Sequence, residues 1–313
     1  MTKIAFVFPG QGAQKIGMGQ DVAAEYPEAK KIYDDADERL GFSITEIITE
    51  GPIELLTKSE NAQPALVSTS VAILRALETY GVKADYVAGH SLGEYSALVA
   101  GGFLEASDAI YLVRKRGELM EAAVPNGAGA MAAVLGVDRE TLKTITEEVT
   151  KEGDAVQLAN HNCPGQIVIS GTTAGVEKAG GKAKESGAKR VLPLAVSGPF
   201  HSSLMEPAAL AFRDVLAEVK ISDGQIPVVN NVDAKETTDK SEISDKLIKQ
   251  IYSPVLWEDI VEELIKNGVD TFVEIGSGKV LVGLIKKINR DVTVLSAGDA
   301  ESVKSVAATL KGE

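Results

Sequence analysis

The sequence predicts an α/β fold in two parts, and three patterns carry that prediction. Short apolar runs at 4–8, 85–88 and 271–275 each end in a glycine-bearing loop and lead toward a helical stretch, the alternation that builds a parallel sheet covered by helices. Between the run at 85–88 and the helical stretch at 94–100 lies Gly89-His90-Ser91-Leu92-Gly93. This G-x-S-x-G turn lifts a serine hydroxyl above the carboxyl end of a sheet. Residues 130–194 read strand, helix, strand, strand, helix, strand over about 70 residues, the order of a split βαβ unit. The expected architecture is a large α/β-hydrolase-like domain with a parallel sheet, residues 1–126 and 198–313. A ferredoxin-like small domain, 127–197, is inserted into it.

Composition narrows the classes. The chain has 313 residues, 44% hydrophobic and 25% charged, enough for a substantial core and more than one typical domain. No run approaches the roughly 18 apolar residues that span a bilayer, so no membrane association is expected. Met1-Thr2-Lys3 followed by 4–8 reads as a first buried strand rather than a signal peptide. A single cysteine, Cys163, excludes an internal disulfide framework and fits a cytoplasmic location. The net charge of −13 argues against nucleic acid as a partner. Three histidines and one cysteine without ligand spacing predict no metal, and no cofactor motif appears.

In chain order, strand 4–8 stops at Pro9-Gly10-Gln11-Gly12-Ala13-Gln14, where Lys15 stands in place of the third glycine of a dinucleotide fingerprint. The loop still lies at the carboxyl end of a strand, where open α/β sheets place ligands. A helix at 26–40 carries an acidic outer face. Gln63-Pro64 opens a long helix at 65–80 with Gly81 as its stop. After the elbow helix, Ser107 or Asp108 caps a helix through Met120 that carries Arg114, Lys115 and Arg116. Successive helical positions point about 100° apart, so one of these cations can turn inward while the others stay in water.

Pro125-Asn126-Gly127 marks the boundary to strand 130–135, helix 138–151, strands 155–159 and 166–170, helix 174–186 and strand 189–194. The large domain resumes at Ser197-Gly198-Pro199-Phe200-His201. A helix at 204–219, a strand at 227–229 ending in Asn230-Asn231, and helices at 245–252 and 257–266 follow. Strand 271–275 ends in Gly276-Ser277-Gly278-Lys279, which lacks the first glycine of a P-loop because position 273 is valine. A helix to Ile288 and a strand at 292–295 close the pattern.

A serine hydroxyl needs an adjacent base to act as a nucleophile. His90 neighbours Ser91 on the same turn and points away from the hydroxyl; His161 lies in the small domain, where a structural role is the default. His201, in a Gly-Pro loop C-terminal to the serine, is the leading candidate and follows the Ser-then-His order of α/β-hydrolases. No carboxylate stands out as its partner, which leaves a neutral carbonyl or amide to orient the ring. An oxyanion hole needs backbone N–H groups, one from Leu92 and a second from the Gly10-Gln11-Gly12 loop.

Pro9-Gly10-Gln11-Gly12-Ala13-Gln14, Gly89-His90-Ser91-Leu92-Gly93-Glu94, Gly198-Pro199-Phe200-His201-Ser202 and Gln250-x-x-x-Pro254-Val255-x-Trp257, taken in order, resemble the malonyl-CoA:acyl carrier protein transacylases of bacterial fatty acid synthesis. The resemblance runs essentially end to end, through the inserted unit and Glu274-Ile275-Gly276. It implies that Ser91 takes a malonyl group from malonyl-CoA as an ester and passes it to the phosphopantetheine thiol of acyl carrier protein. By the same resemblance His201 is base and then acid, and the Gln250 backbone carbonyl holds His201. Gln11 and Leu92 supply the oxyanion N–H groups. Arg116 binds the free malonyl carboxylate, and Phe200 marks malonyl over methylmalonyl selectivity. The same elbow would serve a serine esterase or thioesterase; Arg116 and the insert favour a transferase, and the lack of an obvious Asp or Glu partner disfavours a hydrolase. An acidic carrier protein needs a local basic patch on this acidic chain, for which Lys189-Arg190 and Lys286-Lys287 with Arg290 are the candidates.

Overall fold

Strand β1 (Ile4–Phe8) is buried on both faces from Ala5 onward, as a central parallel strand must be. The computed structural model describes residues 2–125 and 127–312; Asn126, in the predicted boundary turn, lies outside the described residues. After β1 come α1 (Gln20–Glu25), α2 (Pro27–Leu40), α3 (Ile44–Glu50), α4 (Ile53–Thr57) and α5 (Ser59–Glu78). Then follow β2 (Tyr86–Gly89), α6 (Gly93–Ala100) and α7 (Ala106–Ala122). A second group comprises β3 (Gly129–Leu135), α8 (Arg139–Lys151), β4 (Val156–Cys163), β5 (Gln166–Thr172), α9 (Thr173–Glu185) and β6 (Arg190–Pro193). After a 3₁₀ turn (Ser203–Met205) the chain adds α10 (Glu206–Leu216), β7 (Val228–Val229), β8 (Glu236–Thr237), α11 (Lys240–Gln250) and α12 (Trp257–Lys266). It ends with β9 (Thr271–Ile275), α13 (Val280–Ile288), β10 (Thr293–Ala297) and α14 (Ala300–Lys311).

The fold is α/β. Six strands form one sheet in the order β10-β9-β1-β2-β7-β8. Its pairings are parallel, as expected, except at the edge, where β8 runs antiparallel to β7 and makes the sheet mixed. Alternate residues of β1 feed two cores. Phe6 and Phe8 join the face packed by α5 and α7, and Ala5 and Val7 join the face packed by Trp257, Ile260 and Ile285. The second sheet, β4-β5-β3-β6, is antiparallel throughout and shares an apolar core with α8 and α9.

Local signals misplaced some boundaries for identifiable reasons. Helix α5 begins at Ser59, before Pro64, rather than after it. Proline at position 64 removes the hydrogen bond to the carbonyl four residues back, and that Glu60 carbonyl accepts instead from Arg114 Nη1 at 2.9 Å. Strand β4 continues past the predicted end at 159 through polar Asn160-His161-Asn162, because it meets the first group there. His161 N–H donates to the Val255 carbonyl and Val255 N–H to the Ala159 carbonyl, both at 2.9 Å. Helix α14, not predicted, is opened by a reciprocal Asp299–Ser302 capping box. Glu274 at the end of β9 accepts from the N–H groups of Leu281 and Val282, so the start of α13 already holds a side-chain carboxyl where a phosphate-binding loop would hold its ligand.

The register of β1 on β2 pairs Phe8 with Gly89, so the Pro9–Gln14 loop and the serine turn leave the sheet side by side. Contact there is close. A methyl on Gly93 would lie 2.0 Å from the Phe8 carbonyl oxygen, and one on Gly89 would lie 1.9 Å from the Gly93 carbonyl carbon. Gly93→Ala is accordingly expected to cost more than the about 1–3 kcal/mol of ordinary overpacking, since backbone rather than a side chain must move. Denaturant unfolding measures this, and a loss below about 1 kcal/mol would contradict the close approach.

Candidate active site

Ser91 sits at φ 50°, the strained conformation of a serine presented at the top of a strand–helix turn. Asn231, two residues after β7, brackets that turn: its Oδ1 accepts from the Ser91 N–H at 2.7 Å and its Nδ2 donates to the Gly89 carbonyl at 2.6 Å. The neighbouring position of β2 and β7 in the sheet brings Asn231 there.

His201, buried and also at positive φ (57°), has Nε2 2.7 Å from Ser91 Oγ and Nδ1 2.8 Å from the Gln250 carbonyl oxygen. A carbonyl only accepts, so Nδ1 carries the proton and Nε2 offers its lone pair to the hydroxyl. Burial, and then the positive charge of Arg116, push the imidazole pKa down to about 3, which keeps the ring neutral and able to take a proton. From the second sheet, Gln157 Nε2 donates to the His201 carbonyl at 3.2 Å.

The basic triplet on α7 divides as helical geometry requires. Arg114 and Lys115 both pair with Glu118. Arg116, 1% exposed, turns inward instead: Nη1 donates to Gln63 Oε1 at 2.8 Å, and Nη2 donates to Gln250 Oε1 at 3.0 Å and to Ser91 Oγ at 3.1 Å. No ion pair to a carboxylate is made by it among the described residues, and its Nε–H has no partner. A desolvated guanidinium without an anion is a receptor for one.

Ser91, His201 and Arg116 line a cavity of ≈ 720 Å³ together with Gln11, Leu92 and Phe200. The N–H of Gly12 is taken by Gln14 Oε1, whereas those of Gln11 and Leu92 enter no hydrogen bond among the described residues. The structure thus brings together Ser91, His201, Gln250, Gln11, Leu92, Arg116 and Phe200. The other histidines point elsewhere. His90 meets Asn162 Oδ1 at 2.8 Å and packs near Trp257. His161 is buried beside the Arg139–Asp259 pair, and its burial pushes the pKa down to about 4. Gln63, Asn231 and the side chain of Gln250 were not singled out by sequence reasoning. The one available signal was Asn230-Asn231 at the carboxyl end of a parallel strand.

An elbow serine paired with a neutral imidazole, beside unengaged N–H groups, is equipped for acyl transfer through an activated hydroxyl. The comparison with known sequences agrees: the acyl transferase domain family matches residues 5–311, and the chain belongs to that family. It is 55% identical over 313 residues to the malonyl CoA-acyl carrier protein transacylase of Bacillus subtilis (strain 168), covering 100% of this chain and 99% of the relative. Among solved structures, an acyl carrier protein S-malonyltransferase from Vibrio cholerae superposes with a TM-score of 0.95 at 44% identity, covering 97% of this chain and 100% of that one. A malonyl-transacylase in complex with a type II PKS acyl-carrier protein superposes with a TM-score of 0.95 at 42% identity, covering 100% of each chain.

Proposed function

We propose that this chain moves a malonyl group from malonyl-CoA to the phosphopantetheine thiol of an acyl carrier protein in fatty acid biosynthesis, through an ester on Ser91. The observation that carries the reading is the buried Arg116 guanidinium, hydrogen-bonded to the same hydroxyl that His201 holds. As Ser91 Oγ attacks the thioester carbonyl, His201 Nε2 takes its proton, and the oxyanion is received by the N–H groups of Gln11 and Leu92. Collapse expels the CoA thiolate, which takes the proton back from Nε2. In the second half the carrier thiol loses its proton to His201, attacks the seryl ester and releases Ser91 Oγ, which is reprotonated. A thiolate leaves easily, with a thiol pKa near 8.5, so the imidazolium needs less support than peptide cleavage demands. The Gln250 carbonyl, in place of a carboxylate, suffices to hold Nδ1–H. Phe200 beside the acyl α-carbon leaves little room for a branching methyl, a discrimination of about 1–3 kcal/mol.

The same reading extends to architecture: an α/β-hydrolase-like domain of residues 1–126 and 198–313, with a ferredoxin-like domain of residues 127–197 inserted. The strand order β4-β5-β3-β6 and its separate core support the insertion. A cytoplasmic location is supported by the lone buried Cys163; among the described residues no helix is long and apolar enough to cross a membrane. For an acidic carrier protein, register supports a basic approach. Arg190 and Gln166 flank Leu135 across the second sheet, Lys287 Nζ reaches Gln166 Oε1 at 3.4 Å, and Gln166 lines the cavity.

The test is partition of the acyl-enzyme. Enzyme loaded from radiolabelled malonyl-CoA is expected to hold its label in buffer and discharge it onto added holo carrier protein. Release of malonate to water at a rate matching transfer would make the protein a thioesterase instead.

A further inference from the structure

Arg116 and Glu94 are both buried charges beside the serine turn, each 1% exposed, and no direct ion pair joins them. The side-chain amide of Gln250 stands between. Its Nε2 donates to Glu94 Oε2 at 2.7 Å and to the Ser91 carbonyl at 2.9 Å, and its Oε1 accepts from Arg116 Nη2 at 3.0 Å. The other Glu94 oxygen accepts from Asn230 Nδ2 at 2.8 Å and from the Asn231 N–H at 3.4 Å.

Every partner of Glu94 is an obligate donor, so both of its oxygens must accept, the pattern of an ionised carboxylate. Burial pushes its pKa up, and these same donors hold it back. On the far side, Asn230 Oδ1 accepts from Lys246 at 3.2 Å, but that ammonium already pairs with Asp233 and Glu242. The buried charge left to balance Glu94 is therefore Arg116. The amide dipole lies correctly for both, N–H toward the anion and oxygen toward the cation. A glutamate at position 250 would instead pair directly with Arg116, occupy it, and repel Glu94.

We propose that Glu94 is a positioning residue, the buried counter-charge that the Gln250 amide couples to Arg116, and that it sets the preference for acyl groups bearing a carboxylate. This inference rests on the reading of Arg116 as the carboxylate receptor. The relay compensates Arg116 while the site is empty, yet leaves the guanidinium unclaimed by any protein anion.

Glu94→Gln removes the buried negative charge and sets an NH₂ group against a donor on one side or the other, Gln250 Nε2 or the Asn230 and Asn231 N–H groups, so the relay to Arg116 loses its anion. The ratio of kcat/KM for malonyl-CoA over acetyl-CoA is expected to fall at least about tenfold, chiefly through KM for malonyl-CoA; one hydrogen bond to a charged group is of that size. Glu94→Asp, which keeps the charge, should restore the ratio to within about threefold of wild type. A folded Glu94→Gln enzyme with the wild-type ratio, measured where Arg116→Ala lowers it, overturns this inference alone. A wild-type ratio in Arg116→Ala as well overturns the receptor reading and the inference together. If Glu94→Gln does not fold, the double variant Arg116→Gln/Glu94→Gln decides: it should melt above either single variant, because removing both charges leaves neither unpaired. A double variant no more stable than Arg116→Gln alone would overturn the coupling.

Discussion

Ser91→Ala is expected to retain no label when the enzyme is incubated with radiolabelled malonyl-CoA and precipitated, and transfer to the carrier thiol should fall by about 10⁴- to 10⁶-fold. The expectation follows from geometry: Ser91 Oγ is the hydroxyl held by both His201 Nε2 and Arg116 Nη2. His201→Ala should cost almost as much as the serine change, and the two together little more, because base and nucleophile act as a unit. Fold is not the confounder. The turn is held by backbone contacts and by Asn231, none of which uses the serine hydroxyl. Label persisting at the wild-type level in Ser91→Ala would remove the seryl ester from the mechanism.

Arg116→Ala is expected to lower kcat/KM for malonyl-CoA by about 30- to 5,000-fold, the 2–5 kcal/mol typical of a lost, desolvated charge partner. Acetyl-CoA, which has no carboxylate, should suffer much less, so that acyl preference shifts toward uncharged groups. The pH profile gives an independent reading. His201 titrates near 3 first because it is buried and second because Arg116 is positive. Its base form therefore persists well below the ordinary imidazole value of about 6.5. Removing the neighbouring cation makes the imidazolium less unfavourable and raises the pKa, so the acid limb of kcat/KM for acetyl-CoA should move to higher pH in the variant. An acid limb that stays in place would mean that the Arg116 charge does not act on His201.

Parts of this molecule were legible one segment at a time. The turn at Ser91 can be read locally because it needs glycine at both flanks, a strand before and a helix after, all within fifteen residues of chain. The alternation around β1, β2 and β9 is equally local, since strands buried on both faces read as continuous apolar runs. Local signals failed where a segment's partner is distant. The polar half of β4 looks like a loop until Val255 pairs with it, and the first turn of α5 looks broken by proline until Arg114 takes the freed carbonyl. The direction of β8 depends on a sheet edge that no period of the sequence announces.

Read without coordinates, the chain already presents a serine between a strand and a helix, leaves one cation of three on α7 room to turn inward, and offers few histidines for the hydroxyl. Which groups meet is settled by long-range packing. His201 reaches Ser91 across 110 residues and takes its orientation from a backbone carbonyl, which carries no side-chain signature. Asn231, Gln63 and Glu94 enter because β7 lies beside β2, α5 packs on α7, and α6 starts under the turn. The physical reason is the same in each case. Periodicity and turn chemistry act over a few residues, whereas a buried charge or polar atom must find its partner anywhere in the fold, and sheet order chooses which partner that is.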